Sequence, residues 1–272
     1  MSDDLFILVP NLSIQHANAL TCPYFLTPAV PMACRQFARA LARDLGAEGH
    51  DTGVAIVHHH VEMLGEWVNY RFIPHQRRGS TLINQTDLAG SNKSPGAMAL
   101  QPVATMHLKL SLILRFRDIG INERQVSRAI AGRKLAGGSI VDHDEIRVMD
   151  SSAKAFDAIK TGYIVIERTD LMEPKDGQNR VQAWCQALFH EKVEGHPWLV
   201  PALLGFGLLS EPKKRLGARE GYPVAFAEPL AGIVEYLPRR KFDDGPVPFW
   251  DYVIEDDFVA VSSIHHQGAS TL

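Results

Sequence analysis

The run Met106-His107-Leu108-Lys109-Leu110-Ser111-Leu112-Ile113-Leu114-Arg115-Phe116 alternates from end to end. Met106, Leu108, Leu110, Leu112, Leu114 and Phe116 fall on one face of an extended chain, and His107, Lys109, Ser111, Ile113 and Arg115 on the other. Successive side chains of a strand point to opposite faces, so this pattern specifies a β-strand with one face buried and the other mostly polar.

The flanking sequence supplies companions for this strand. Leu5 to Val9 is a short apolar run, and Pro10, which cannot donate to a ladder, is expected to end it and open a loop reaching Pro31. From Met32 to Leu45, Ala33, Phe37, Leu41 and Leu45 recur every four positions, with Arg35, Arg39 and Arg43 on another face; this is a first helix closed by Gly46. Val54 to Met63 reads as a second strand. Residues 65 to about 104 are rich in Gly, Pro, Asn, Ser and Gln, and so long a loop is usually functional or disordered. Beyond the alternating strand, Asn122 is placed to cap a helix running to Arg133, with Val126 and Ile130 inward, and Tyr163 to Ile166 is another strand. The order strand, helix, strand, strand, helix, strand predicts an α+β fold with a ferredoxin-like core, its helices on one sheet face and the other face available. The core is expected over 1–169 and a less regular portion over 170–272, opened by a helix from Gln178 to Lys192 and broken by prolines from Pro223 to Pro248.

Composition narrows the function classes. The chain has 272 residues, 46% of them hydrophobic, enough for a large core. It has no apolar run of membrane-spanning length, and Asp3 and Asp4 precede the first apolar stretch, which is wrong for a secretory signal; a cytoplasmic location is the expectation. Cys22, Cys34 and Cys185 have no metal-like spacing. The formal net charge of −3 does not suit a free-standing nucleic-acid binder, so any RNA contact must be local. Local basic clusters exist at Arg71, Arg77 and Arg78, at Lys109, Arg115 and Arg117, at Arg133 and Lys134, and at Lys213 to Arg215.

Three constellations could carry chemistry. The polar segment with Ser13, Gln15, His16 and Asn18 presents amides and hydroxyls suited to bases and 2′-hydroxyls of unpaired RNA, or else satisfies its own turns. Gly137-Gly138-Ser139, beside Arg133 and Lys134, would let backbone approach a phosphate, or else forms a helix C-terminal cap; it matches no nucleotide-binding signature. His58-His59-His60 would place His58 and His60 on one strand face, but no spaced partner completes a metal site, so no cofactor is expected. His16, His75 or His107 near a cation would also serve a metal-independent ribonuclease.

Two motifs together resemble a known family. Pro10-Asn11-Leu12-Ser13-Ile14-Gln15-His16-Ala17-Asn18-Ala19 is similar to the opening of the Cas-five-type, or Csy-two, subunit of type I-F CRISPR complexes, and Arg133 to Ile140 is similar to that family's LAGGSI element. Pro197 to Pro201, Gly205 and Ala218-Arg219-Glu220 extend the likeness to about residue 240. The resemblance implies a non-catalytic subunit with an RNA-recognition (RAMP) fold, holding the 5′ handle of CRISPR RNA beside backbone Cas-seven-type subunits and a large subunit. It implies that Ser13, Gln15, His16, Asn18, Gly137, Gly138 and Ser139 contact the handle, and that Arg35 and Arg133 also bind the RNA. It further implies that 65–104 is a thumb-like hairpin with Arg71, Arg77 and Arg78 on phosphates. The region 170–197 is compressed relative to the family, which counts against a role in reading target DNA at the flanking motif. An endoribonuclease that processes CRISPR RNA is the alternative reading.

Overall fold

The alternating run is realised as the 13-residue strand Thr105–Arg117, inside an 11-stranded antiparallel sheet of a mixed α/β protein. The computed structural model describes residues 4–75, 77–78, 100–101, 103–175, 177–190, 198–218, 221–242 and 245–264. In chain order the strands are β1 (Asp4–Asn18), β2 (Asp51–Met63), β3 (Gly65–Val68), β4 (Arg71–Pro74), β5 (Arg77–Arg78), β6 (Leu100–Gln101) and β7 (Thr105–Arg117). They continue with β8 (Lys134–Leu135), β9 (Gly138–Asp142), β10 (Arg147–Met149), β11 (Tyr163–Glu167), β12 (Leu199–Leu208), β13 (Lys213–Lys214), β14 (Pro223–Val224), β15 (Ala227–Pro238), β16 (Asp251–Ile254) and β17 (Phe258–Ser262). The helices are α1 (Pro31–Asp44), α2 (Glu123–Ile130), α3 (Ser152–Asp157) and α4 (Arg180–Cys185), the last running into a π-helical turn, Gln186–His190.

The large sheet has the order β16-β17-β12-β15-β11-β2-β7-β1-β9-β8, with β10 also paired to β1. Its helical face is covered by α1 and α2, whose Phe37, Leu41, Val126 and Ile130 pack on Ile7, Leu12 and Ile14 of β1 and on the even-numbered residues 106–116 of β7. Leu110, Leu112, Leu114 and Phe116 are wholly buried, and each such side chain contributes about 1.5–3 kcal/mol. Among the described residues the opposite face is covered only at one end, where Phe156 of α3, Ile159, Val247 and Phe249 meet Phe6, Leu8, Ala55, Val57 and Ile113. No helix among the described residues is long and apolar enough to cross a membrane.

Several expectations are corrected. Pro10 does not end the first strand. The chain runs on to Asn18 through two register shifts against β7, between Val9 and Leu12 and between Ile14 and Ala17. The proline falls inside the first bulge, where a missing N–H costs no ladder bond, and Asn11 (φ 51) and His16 (φ 55) take the left-handed backbone that the two bulges need. His58 and His60 do not share a face, because a register shift of β2 against β7 lies between them. Tyr163–Glu167 pairs with β2 and β15, while β9 and β10 take the places beside β1. The double glycine is not a helix cap. Leu135 pairs with Gly138, leaving Ala136 (φ 49) and Gly137 (φ 77) as a two-residue hairpin turn of the I′ kind. Asn122 caps α2 as expected, in a reciprocal pair with Gln125 (both bonds 3.0 Å).

His58 lies on the helical face, 5% exposed, with its ring edge-on to Tyr236 at 5.2 Å. Burial, reinforced by the charge of His59, pushes its pKa down to about 4. The folded value therefore lies below that of an unfolded histidine, about 6.5. Above pH 6.5 or so the ring is neutral in both states. As pH falls from there toward 4, the unfolded chain takes up a proton that the folded one excludes, and stability falls by up to about 1.4 kcal/mol per pH unit. Urea midpoints measured between pH 7 and 4 should show this decline, and His58→Leu should flatten it.

Candidate nucleic-acid interface

The uncovered part of the second sheet face is formed by the middle strands. β1 contributes Ser13 and Gln15, β7 contributes His107, Lys109 and Ser111, β2 contributes His59, His60 and Glu62, and β9 contributes Ser139. Register fixes the neighbours: Ser13 stands opposite Lys109, Gln15 opposite Ser139, His60 opposite Lys109 and Glu62 opposite His107. Gln15, His60, Glu62, Lys109 and Ser139 are exposed, Ser13, His59 and His107 are half-buried, and Ser111 is buried. Polar residues occupy this face because the apolar phase of each strand is committed to the core beneath α1 and α2.

The bulges aim the side chains. At His16 the backbone N–H donates to His107 Nδ1 at 3.3 Å, and the two rings meet edge to face at 5.1 Å. At Asn11 the backbone N–H donates to Ser111 Oγ (3.0 Å), and Nδ2 donates to Asp144 Oδ2 (2.6 Å). His59 Nε2 is 2.7 Å from Ser111 Oγ. Burial, and then the charge of Lys109, lowers the pKa of His59, which favours the neutral imidazole, able to donate or accept.

The structure brings Ser13, Gln15, His16, Gly138 and Ser139 together on adjacent strands. Asn18 is exposed, but its side chain closes its own turn: Nδ2 donates to Leu20 O (3.0 Å) and Oδ1 accepts from Leu20 N–H (3.1 Å). Arg35 is 3% exposed and held by Asp51 and Asp251, which withdraws it from any surface. Arg133 is turned to the helical side, where Nε donates to Ala129 O (2.8 Å) and the guanidinium pairs with Asp44. Gly137 is open to solvent at the hairpin tip. Arg71 is exposed on the β3–β4 hairpin, whose tip residue Tyr70 is fully exposed. The Arg77 and Arg78 side chains, and most of the expected thumb between 79 and 99, lie outside the described residues. Lys109, His107, His59 and His60 were not among the expected contacts. The polar phase of 106–116 already placed His107 and Lys109 on the right face, whereas His59 and His60 depend on a bulge that no local pattern announces.

The profile of the CRISPR-associated protein family Csy2 matches residues 7–189. The chain belongs to the Csy2 family. It is 29% identical to the CRISPR-associated protein Csy2 of Pseudomonas aeruginosa (strain UCBPP-PA14) over 147 residues, which is 51% of this chain and 42% of that one, so the match takes in less than half of the relative's length. A crystal structure of a CRISPR protein from Archaeoglobus fulgidus aligns over 95% of this chain and 98% of its own, at 12% identity and a TM-score of 0.26, a similarity too low to define a shared fold. The Csy2 match takes in β1 from Ile7 onward, β2, β7 and the β8–β9 hairpin, so the residues of the open face lie within the family region.

Proposed function

We propose that this Csy2-family chain is a non-catalytic, cytoplasmic subunit of a type I-F CRISPR surveillance complex, and that it holds the 5′ handle of the guide RNA on the open sheet face. The observation that carries this is the polar surface over β9, β1, β7 and β2, on the sheet face opposite the one packed beneath α1 and α2. Unpaired RNA is recognised by such surfaces through amides, hydroxyls and stacked rings, with cations placing the phosphates. The strand order β2-β7-β1-β9, with α1 and α2 on one side, supports a ferredoxin-like RAMP core in which β9 rather than β11 is the fourth strand. Residues after about 170 then form a second portion that extends the sheet. The β3–β4 hairpin is read as the base of the thumb, and neighbouring backbone subunits, a large subunit and target DNA are the partners this role requires.

One observation favours a second reading. His16 and His107 pack ring to ring on the same face, on strands that also carry Lys109, and two histidines with a cation could cleave RNA by general acid–base chemistry. A single experiment addresses both. The chain is incubated with labelled handle RNA of the CRISPR repeat, and binding and RNA length are read together. The triple variant Gln15→Ala, Lys109→Ala, Ser139→Ala should bind at least about tenfold more weakly, with the RNA intact throughout. Unchanged binding would overturn handle recognition at this face, and cleavage abolished by His107→Ala would replace the structural role with the enzymatic one.

A further inference from the structure

We infer that a cleft at the start of β11, joined to the open face through His59, clamps one unstacked nucleotide of the RNA strand, its base on Trp198 and its phosphate among Lys160, Arg240 and Lys241. The inference rests on the RNA-binding reading and assigns a position that reading does not contain. The cleft has a volume of about 600 Å³, within the range of sites that enclose a small ligand. One wall is aromatic. The rings of Tyr163 and Trp198 lie 4.5 Å apart at 47°, and Trp198 remains 47% exposed, which leaves part of the indole unburied at the cleft. The other wall is basic, with Lys160, Arg240 and Lys241 all exposed. Arg239 is already committed, since its guanidinium pairs with Asp157 (2.8 Å) and stacks on Phe156 at 4.1 Å, and it anchors this wall rather than serving the ligand.

The floor is Gly162. A Cβ there would come within 2.8–2.9 Å of Val57, the His58 carbonyl and His59 Nδ1, and its φ of +120° is one that other residues rarely adopt. Through His59 the cleft joins the open face, because the same imidazole that lines the cleft reaches Ser111 of β7. From Ser139 to His59 the polar track therefore crosses β9, β1, β7 and β2 in order, and the cleft adjoins its end at the start of β11, where Tyr163, opposite His58, and Trp198, opposite Tyr236, stand on the helical side of the sheet. Three intervals of about 4.8 Å make it roughly 14 Å long. An aromatic plane facing cations at the end of such a track is the arrangement that holds single-stranded RNA by stacking and charge. It suits a strand of nucleic acid better than a protein partner, which would need an apolar patch rather than three exposed cations.

The test uses the full chain and a fluorescent octauridylate, U8. Trp198→Ala should weaken binding about tenfold while Trp198→Phe stays close to wild type, and Lys241→Ala should lower the salt slope by about 0.7. Because Trp198 is half exposed and its ladder contact is through its carbonyl, which accepts from Tyr236 N–H at 2.9 Å, the alanine variant should melt with the wild type. Ultraviolet cross-linking should place a uridine adduct on the peptide carrying Trp198 or Tyr163. If Trp198→Ala binds U8 as well as wild type and adducts fall only on β1 and β7, the cleft assignment is overturned and the RNA reading stands. If the wild-type chain neither binds nor cross-links U8, both fall. If uridine monophosphate displaces U8 at equal concentration, the cleft serves a free nucleotide and the strand assignment is wrong.

Discussion

Arg35→Ala is expected to cost about 3–5 kcal/mol of stability, because it strands the buried carboxylate of Asp51 and takes the partner from the partly exposed Asp251. Arg35 sits in the first half of α1 and joins three distant parts of the chain. Its Nη1 donates to Asp51 Oδ2 (2.6 Å), Nη2 to the Asp51 carbonyl (3.1 Å) and Nε to Asp251 Oδ1 (2.9 Å), and its plane lies 4.5 Å over the Tyr252 ring. Asp51 opens β2 and Asp251 opens β16, so one guanidinium ties the helix to the central sheet and to its outer edge. The Asp51 side chain is 8% exposed and would be left with a charge and no cation. Arg35→Lys should recover only part of the loss, since an ammonium cannot reach both carboxylates and the carbonyl in the planar fork that arginine presents. Urea unfolding should show the midpoint of the alanine variant lowered by at least about 1 M. A variant that kept its midpoint but lost RNA affinity would return Arg35 to the surface role that the sequence suggested.

Arg35 also shows where sequence reading stops. The helical period placed Arg35, Arg39 and Arg43 on one face, and the last two are indeed exposed. What separates Arg35 is the arrival of Asp251 and Tyr252 from more than 200 positions away, which no local pattern contains. The alternating run was legible because both phases of a long strand are written in its composition, and it placed His107 and Lys109 on the open face. The extent of β1 was not, because Pro10 normally stops a ladder; the chain absorbs it in a bulge whose left-handed Asn11 is the one local hint. The histidine triplet failed for a related reason. A strand's faces alternate only while the register holds, and a single extra residue moved His58 into the core and left His60 outside. The clamp residues Lys160, Tyr163, Trp198, Arg240 and Lys241 come from three separated segments, so only the sheet order brings them together.

The glycine turn allows the two explanations of Gly137-Gly138 to be separated. A Cβ on Gly138 would lie 2.6 Å from both the Ala17 nitrogen and the Gln15 carbonyl, and 2.7 Å from Ile14 Cγ2. Two of these are backbone atoms of β1 that cannot give way, so β9 can rest on β1 only through a residue without a side chain. Gly138→Val should therefore push the β8–β9 hairpin off β1 and cost about 3 kcal/mol or more. It should also abolish handle binding, because the pairing of Gln15 with Ser139 goes with it. Gly137 has nothing within 4 Å of its would-be Cβ and needs glycine only for its φ of +77°, a conformation its neighbour Ala136 already tolerates. Gly137→Ala should accordingly cost only about 1–2 kcal/mol in thermal melting and leave RNA affinity unchanged. If instead a phosphate rests against the bare backbone of the turn, the added methyl would block it, and Gly137→Ala would weaken binding well beyond its small effect on melting. Measuring both quantities on both variants decides whether the pair of glycines serves strand packing or phosphate approach, and the contacts around Gly138 favour packing.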